Sequence, residues 1–198
     1  VGGRSDADFA AAYADLLNKE ARALLAAGAD IIQIDEPCFN IYTDEVKDWG
    51  LEILERAFDG VTAKRAVHIC YGYGTEIVLN WKKANDDWSH YNTTLPLIAE
   101  SSIDQISIEC AASGVDLSVL DCLAGKDVMV GVIDVGTEEV ESAQVVADRI
   151  RHAMKHVSAE HLIACTDCGM VPRSRRAAEG KMNALAAGAA LVNRELGA

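Results

Sequence analysis

What the sequence lacks narrows its function first. No apolar run approaches the roughly 18 residues that a membrane span needs, and Val1-Gly2-Gly3-Arg4 leads straight into an acidic helical pattern rather than a secretory leader. The first residue is not Met, so the chain is expected to be a processed product or a fragment. Basic residues are scarce: 18 Lys and Arg face 31 Asp and Glu, a formal net charge of −13. That balance argues against a nucleic acid or another polyanion as the main partner, while leaving room for a small anionic ligand. The six cysteines, Cys38, Cys70, Cys110, Cys122, Cys165 and Cys168, are too few and too scattered for a disulfide scaffold. They fit a cytoplasmic protein with some metal-bound thiolates. No Gly-rich turn follows any strand pattern, which counts against a nucleotide-binding open sheet.

What is present is a regular alternation. Ser5 or Asp6 is placed to cap a helix running to about Ala27, with Phe9, Tyr13, Leu16, Leu17, Leu24 and Leu25 at helical spacing. Strand patterns follow at Ile31–Asp35, Ala66–Cys70, Gln105–Glu109, Val128–Ile133 and His161–Cys165. Between and after them come helical patterns at about Thr43–Phe58, Leu95–Glu100, Leu117–Leu123, Ser142–His156 and from Ser174 or Arg176 to Arg194. Near-continuous apolar strands imply a sheet covered on both faces, hence an α/β protein with a parallel sheet. A (β/α)8 TIM-type barrel needs eight strands and about 250 residues. The 198 residues are therefore expected to supply the last five βα units of a single barrel, with the first three outside this chain. Tyr71–Asn92, rich in aromatic side chains and carrying Lys82 and Lys83, reads equally as a binding loop or as a surface elaboration packing its own rings.

Each strand pattern ends in chemistry: Asp35 and Glu36, His68 and Cys70, Glu109, Asp134, and Asp167 with Cys168. Side chains two apart on a strand share a face, so His68 and Cys70 lie side by side. Taken alone, His-x-Cys is a common spacing that also suits a core histidine beside a small buried thiol. In a barrel, however, all five strand ends converge on one mouth. The zinc set this selects is His68, Cys70, Glu109 and Cys168, a donor group matched to a borderline-soft ion. Two thiolates and a carboxylate leave such a site negative even with a divalent ion bound. That favours activating an incoming thiol over ionising a water. Cys165-x-x-Cys168 is open to a redox reading as well, and Asp35 is open to two: a ligand for an amino group, or a turn cap.

Ile32-Gln33-Ile34-Asp35-Glu36-Pro37, His68-Ile69-Cys70-Tyr71, Ile106-Ser107-Ile108-Glu109, Gly131-Val132-Ile133-Asp134 and Asp167-Cys168-Gly169 occur in this order. Together they resemble the C-terminal catalytic barrel of cobalamin-independent methionine synthases, and the Tyr71–Asn92 stretch resembles the short "core" branch without the N-terminal duplicate barrel. The resemblance implies methyl transfer from N5 of 5-methyltetrahydrofolate to the zinc-bound thiolate of homocysteine. It puts the Zn2+ ligands on His68, Cys70, Glu109 and Cys168, the homocysteine amino group on Asp35, and Glu36 in a supporting role. One departure stands out. Many full-length relatives have Asp-Ile-His-Ser where this chain has Asp134-Val135-Gly136-Thr137, so the proton that the donor nitrogen needs would come from Asp134, from water, or from outside the chain. Two other readings remain. One is a zinc alkyltransferase acting on another thiol of the coenzyme M type. The other is a non-catalytic, zinc-stabilised barrel subunit completed by a second chain or a missing N-terminal segment.

Overall fold

In the computed structural model, residues 5–85 and 87–197 are described. Helix α1 (Asp6–Ala26) opens on a reciprocal cap: Asp8 N–H donates to Ser5 Oγ, and Ser5 N–H donates to the Asp8 carboxylate. Strand β1 (Ile31–Asp35) follows. The single helix expected over Thr43–Phe58 is interrupted: a turn of helix α2 (Thr43–Glu45) widens into a π turn at Val46–Gly50 before α3 (Leu51–Ala57). Gly50, a poor helix former, closes the widened turn. Strand β2 (Lys64–Ile69) then ends one residue before Cys70.

The aromatic stretch after β2 is largely structured. Thr75 caps helix α4 (Glu76–Ala84), and α5 (Tyr91–Ala99) begins four residues earlier than the sequence pattern suggests. Tyr71 sits at the centre of a ring cluster, edge-on to Trp88, His90 and Tyr91. The elaboration does pack its own rings, but it also sends one side chain into the site described below. The rest of the chain is β3 (Gln105–Ile108), a 3-10 segment (Leu117–Leu123), β4 (Asp127–Ile133), α6 (Ala143–Ala153), β5 (Leu162–Thr166) and α7 (Arg175–Leu196).

The five strands form one sheet in the order β1-β2-β3-β4-β5, every neighbouring pair parallel. Successive neighbours in sequence order, joined by helices, are consecutive βα units of a (β/α)8 barrel. Register assigns the two faces. Gln33, Ala66, Gln105 and Asp127 align across the sheet, as do Asp35, His68, Ser107 and Met129. The intervening Val67, Ile69, Ile106, Ile108, Val128, Val130 and Val132 face the helices and are fully buried there with Leu95, Ile98, Val146 and Ala147. Charged pairs finish the N-terminal strand ends: Lys64 with Asp127, and Arg65 with Asp104. Among the described residues no helix is long and apolar enough to cross a membrane.

Candidate metal centre

Three side chains from two distant strands meet at the C-terminal edge of the sheet. His68 ends on β2, Cys70 follows two residues later, and Cys168 lies just past β5. Their donor atoms all lie within 4.8 Å of one another, and the two sulfurs are 3.8 Å apart. Ser107, aligned with His68 on the neighbouring strand, holds Nδ1 of the imidazole at 2.9 Å. The other ring nitrogen, Nε2, is buried and has no hydrogen-bond partner. A buried ring nitrogen without a partner is costly. Beside two sulfurs, with its partner nitrogen already fixed, it is the arrangement of an oriented metal ligand.

The electrostatics agree with that reading. Donation from the Cys70 thiol, with His68 close by, pulls Cys168 down to about 4. The same contact, reinforced by burial, drives Cys70 upward. Burial opposes a charged His68, yet the Cys168 sulfur outweighs it and raises the imidazole above its ordinary value. One sulfur is thus ready as a thiolate, and Gly72 N–H donates to the other at 3.3 Å.

Glu109 stands apart from this trio. Among the described residues the group within 4.8 Å comprises His68, Cys70 and Cys168. The Glu109 carboxylate, completely buried at the end of β3, is held by Lys82 Nζ at 2.7 and 2.8 Å and by Tyr71 N–H at 2.9 Å. Burial raises its pKa to about 7, with Lys82 acting in the opposite direction. Of the four ligands expected from sequence, the structure clusters three and gives the fourth an ammonium partner. Lys82 comes from α4, and its ammonium lies 3.5 Å from the centre of the Tyr73 ring.

Asp167 is a hidden organiser of the site. It is fully buried, and its carboxylate accepts three consecutive backbone N–H groups, from Cys110, Ala111 and Ala112, at 2.8–2.9 Å. Tyr73 Oη donates to the same group at 3.3 Å. It therefore ties the loop after Glu109 to the residue preceding Cys168. Gly131 makes room for it, because a Cβ there would sit 2.0 Å from Asp167 Oδ1.

The remaining expected residues are distributed around this core. Asp35 is exposed, aligned with His68 across the β1–β2 pair, and accepts a hydrogen bond from Gln33 Nε2 at 2.8 Å. Glu36, next in the chain, goes elsewhere: it lines a cavity of about 380 Å³ with Tyr13, Phe39, Tyr42 and Trp49, on the helix side of β1. Strand alternation sends the two carboxylates to opposite sides, so Glu36 does not share the mouth with Asp35. Burial raises its carboxyl above the ordinary range. Asp134, just after β4, accepts Gly136 N–H at 2.6 Å, while its own N–H donates to Glu141. Cys165 lies within β5, 4.0 Å from Ser107 Oγ. Cys38 and Cys122 are exposed.

Sequence reasoning passed over Ser107, Lys82 and the use made of Asp167. Ser107 was within reach, since it sits two residues before Glu109 on the same face of β3. Lys82 carries no comparable signal, because nothing in the pattern of Tyr71–Asn92 marks the helix that holds it.

Comparison with known proteins places this site in context. Residues 4–190 match the family model described as the catalytic domain of cobalamin-independent synthases. A methionine synthase of Saccharolobus islandicus (strain Y.G.57.14 / Yellowstone #1) is 33% identical over 187 residues, covering 92% of this chain and 50% of the relative. One from Thermococcus kodakarensis is 33% identical over 193 residues, covering 97% and 52%. The structure of a B12-independent methionine synthase from Shewanella sp. W3-18-1, in complex with selenomethionine, superposes with a TM-score of 0.95 at 48% identity, covering 98% of this chain and 57% of that one. The chain spans about half the length of the curated relatives it matches.

Proposed function

The chain belongs to the family of cobalamin-independent synthase catalytic domains, and from that premise we propose that it forms the zinc-binding part of a cytoplasmic S-methyltransferase that makes methionine. The substrates are homocysteine and 5-methyltetrahydrofolate. Its five βα units make up part of one eight-unit barrel, completed by the rest of the protein or by a second chain.

One observation carries the reading: a buried imidazole nitrogen with no partner faces two cysteine sulfurs at the open end of the sheet. His68, Cys70 and Cys168 would hold the ion, with Glu109 as the exchangeable fourth ligand. When bound, zinc supplies Lewis acidity that keeps an incoming thiol ionised and nucleophilic at neutral pH. The protein's own groups do the rest. Ser107 fixes the imidazole through Nδ1. Asp35, at the adjacent strand end, pairs with the substrate's ammonium group. An acidic residue there suits an amino-acid thiol and repels a sulfonate such as coenzyme M, which would call for a basic side chain. Departure of the methyl group from a tertiary amine requires that nitrogen to be protonated. Asp134, whose Oδ1 accepts Gly136 N–H, is our candidate to deliver the proton.

The test is metal content and methyl transfer on the complete protein, with homocysteine and coenzyme M as competing acceptors. About one zinc per barrel and turnover with homocysteine are expected, both lost in Cys168→Ser. Retained zinc and normal turnover in that variant would rule out the assigned role of Cys168. Preference for coenzyme M would move the activity to the related alkyltransferases. Zinc-dependent stability with no transfer to either thiol would leave a scaffold subunit.

A further inference from the structure

Lys82 has no role in the function proposed above, yet it is among the most deeply placed charges in the molecule. Its side chain is 7% exposed, and its ammonium donates to both oxygens of Glu109. The Tyr73 ring lies against it at 3.5 Å, a favourable surface for a desolvated cation. The Glu109 backbone is pinned on both sides: its N–H donates to Tyr91 Oη at 3.3 Å and its carbonyl accepts from Ser113 Oγ at 3.2 Å. A change of partner by this carboxylate is therefore a side-chain rotation and leaves the strand in place. Three hydrogen bonds reach its two oxygens, two from Lys82 and one from Tyr71 N–H. An ion among His68, Cys70 and Cys168 that took Glu109 as a ligand would draw on the same two oxygens that the ammonium holds.

We propose that Lys82 is a positioning residue that competes with the metal ion for Glu109. This inference rests on the metal-centre reading above. With the ion bound, the carboxylate would have two cationic partners, one tethered to α4 and one held by the trio. Binding to either weakens the hold of the other. Glu109 is thereby a ligand that leaves readily when a thiol enters, because Lys82 receives the displaced charge and no carboxylate is left unpaired in the interior. The exchange also ties α4 to the state of the centre, since Lys82 anchors that helix only while it holds Glu109.

A rigid strut predicts something different. If Lys82 merely held Glu109 in a ligating pose, removing the ammonium would loosen the carboxylate and weaken metal binding. Competition predicts the reverse. The measurement is the zinc dissociation constant, obtained on the complete protein by titration against a chromophoric chelator. The proteins are the parent, Lys82→Met, Lys82→Gln, Glu109→Gln and the Glu109→Gln/Lys82→Met double variant. Lys82→Gln keeps a donor near the carboxylate, and the double variant removes both buried charges, so at least one comparison remains in a folded protein. Both Lys82 single variants should bind zinc at least tenfold more tightly than the parent. The gain should vanish in the Glu109→Gln background, and the visible spectrum of the cobalt-substituted protein should change only where Glu109 is intact. Unchanged or weaker binding in the Lys82 variants, or a gain that persists without Glu109, would overturn the competition while leaving the metal centre standing. A parent protein that binds no zinc would overturn both.

Discussion

Asp167 makes the sharpest demand on the structure. In Asp167→Ala, the N–H groups of Cys110, Ala111 and Ala112 lose their acceptor together, and Tyr73 Oη loses its partner. An unsatisfied buried donor costs about 1–3 kcal/mol. The three donors sit in a half-buried loop that water can partly reach, so the low end applies to each. Relief of a fully buried carboxylate offsets some of the loss. The expected destabilisation is about 3 kcal/mol, seen as a lower denaturation midpoint at unchanged m-value in equilibrium urea unfolding. Asp167→Asn keeps an oxygen for two of the donors and turns an amide NH2 toward the third, so it should fall between parent and alanine variant, at about 1–2 kcal/mol. Because this residue precedes Cys168 and holds the loop after Glu109, the alanine variant should also bind zinc at least tenfold more weakly. A loss below about 1 kcal/mol in Asp167→Ala would show that the three bonds do not organise the site.

Ser107→Ala removes the partner of His68 Nδ1 and should lower zinc affinity by about 10–100-fold with little loss of stability, as measured by chelator competition. Gly188 lets α7 approach α6: a Cβ there would sit 2.4 Å from a Val146 methyl, so Gly188→Ala should cost about 1–3 kcal/mol in denaturant unfolding, and Gly188→Ala/Val146→Ala should recover part of it. Arg65 donates to both oxygens of Asp104 and holds its carboxyl below the usual value of 3.8. The folded-state pKa is depressed, so this pair's stabilisation is present above 3.8 and is lost as pH falls through the lower folded value. Asp104→Asn should therefore be less stable than the parent near neutrality, with a shallower loss of stability on acidification below about pH 4 when unfolding is followed at stepped pH.

The periodic parts of this chain were legible because one physical cause dominated each. Ile32, Val67, Ile106 and Val130 had to be buried on the helix-facing side of a two-sided sheet, and the strands they mark appear within two residues of the expected ends. The convergence of His68, Cys70 and Cys168 followed from strand ends sharing a mouth. Charge pairing escaped the sequence reading. Nothing local distinguishes Lys82 from Lys83, yet one is buried against Glu109 and its neighbour is exposed. Helical phase decides between them, and that phase is set by the Thr75 cap and the ring cluster around Tyr71. Glu36 shows the converse: sequence adjacency to Asp35 suggests a shared site, while the residue just past β1 lines the outer cavity.

The departure at Gly136 has a structural counterpart in the same aromatic elaboration. A Cβ on Gly136 would stand 3.5 Å from the Tyr73 ring and 3.0 Å from Asp134 Oδ1. An imidazole at this position would have to extend past both, through space that Tyr73 borders and that the Asp134–Gly136 hydrogen bond closes. Tyr73 is itself held from two sides, by Lys82 over its ring and by Asp167 at its hydroxyl. The side chain that fills the space also steadies Lys82, the residue that contests Glu109. Asp134 Oδ1 is fixed by Gly136 N–H in that same space, 3.0 Å from where the Cβ would stand.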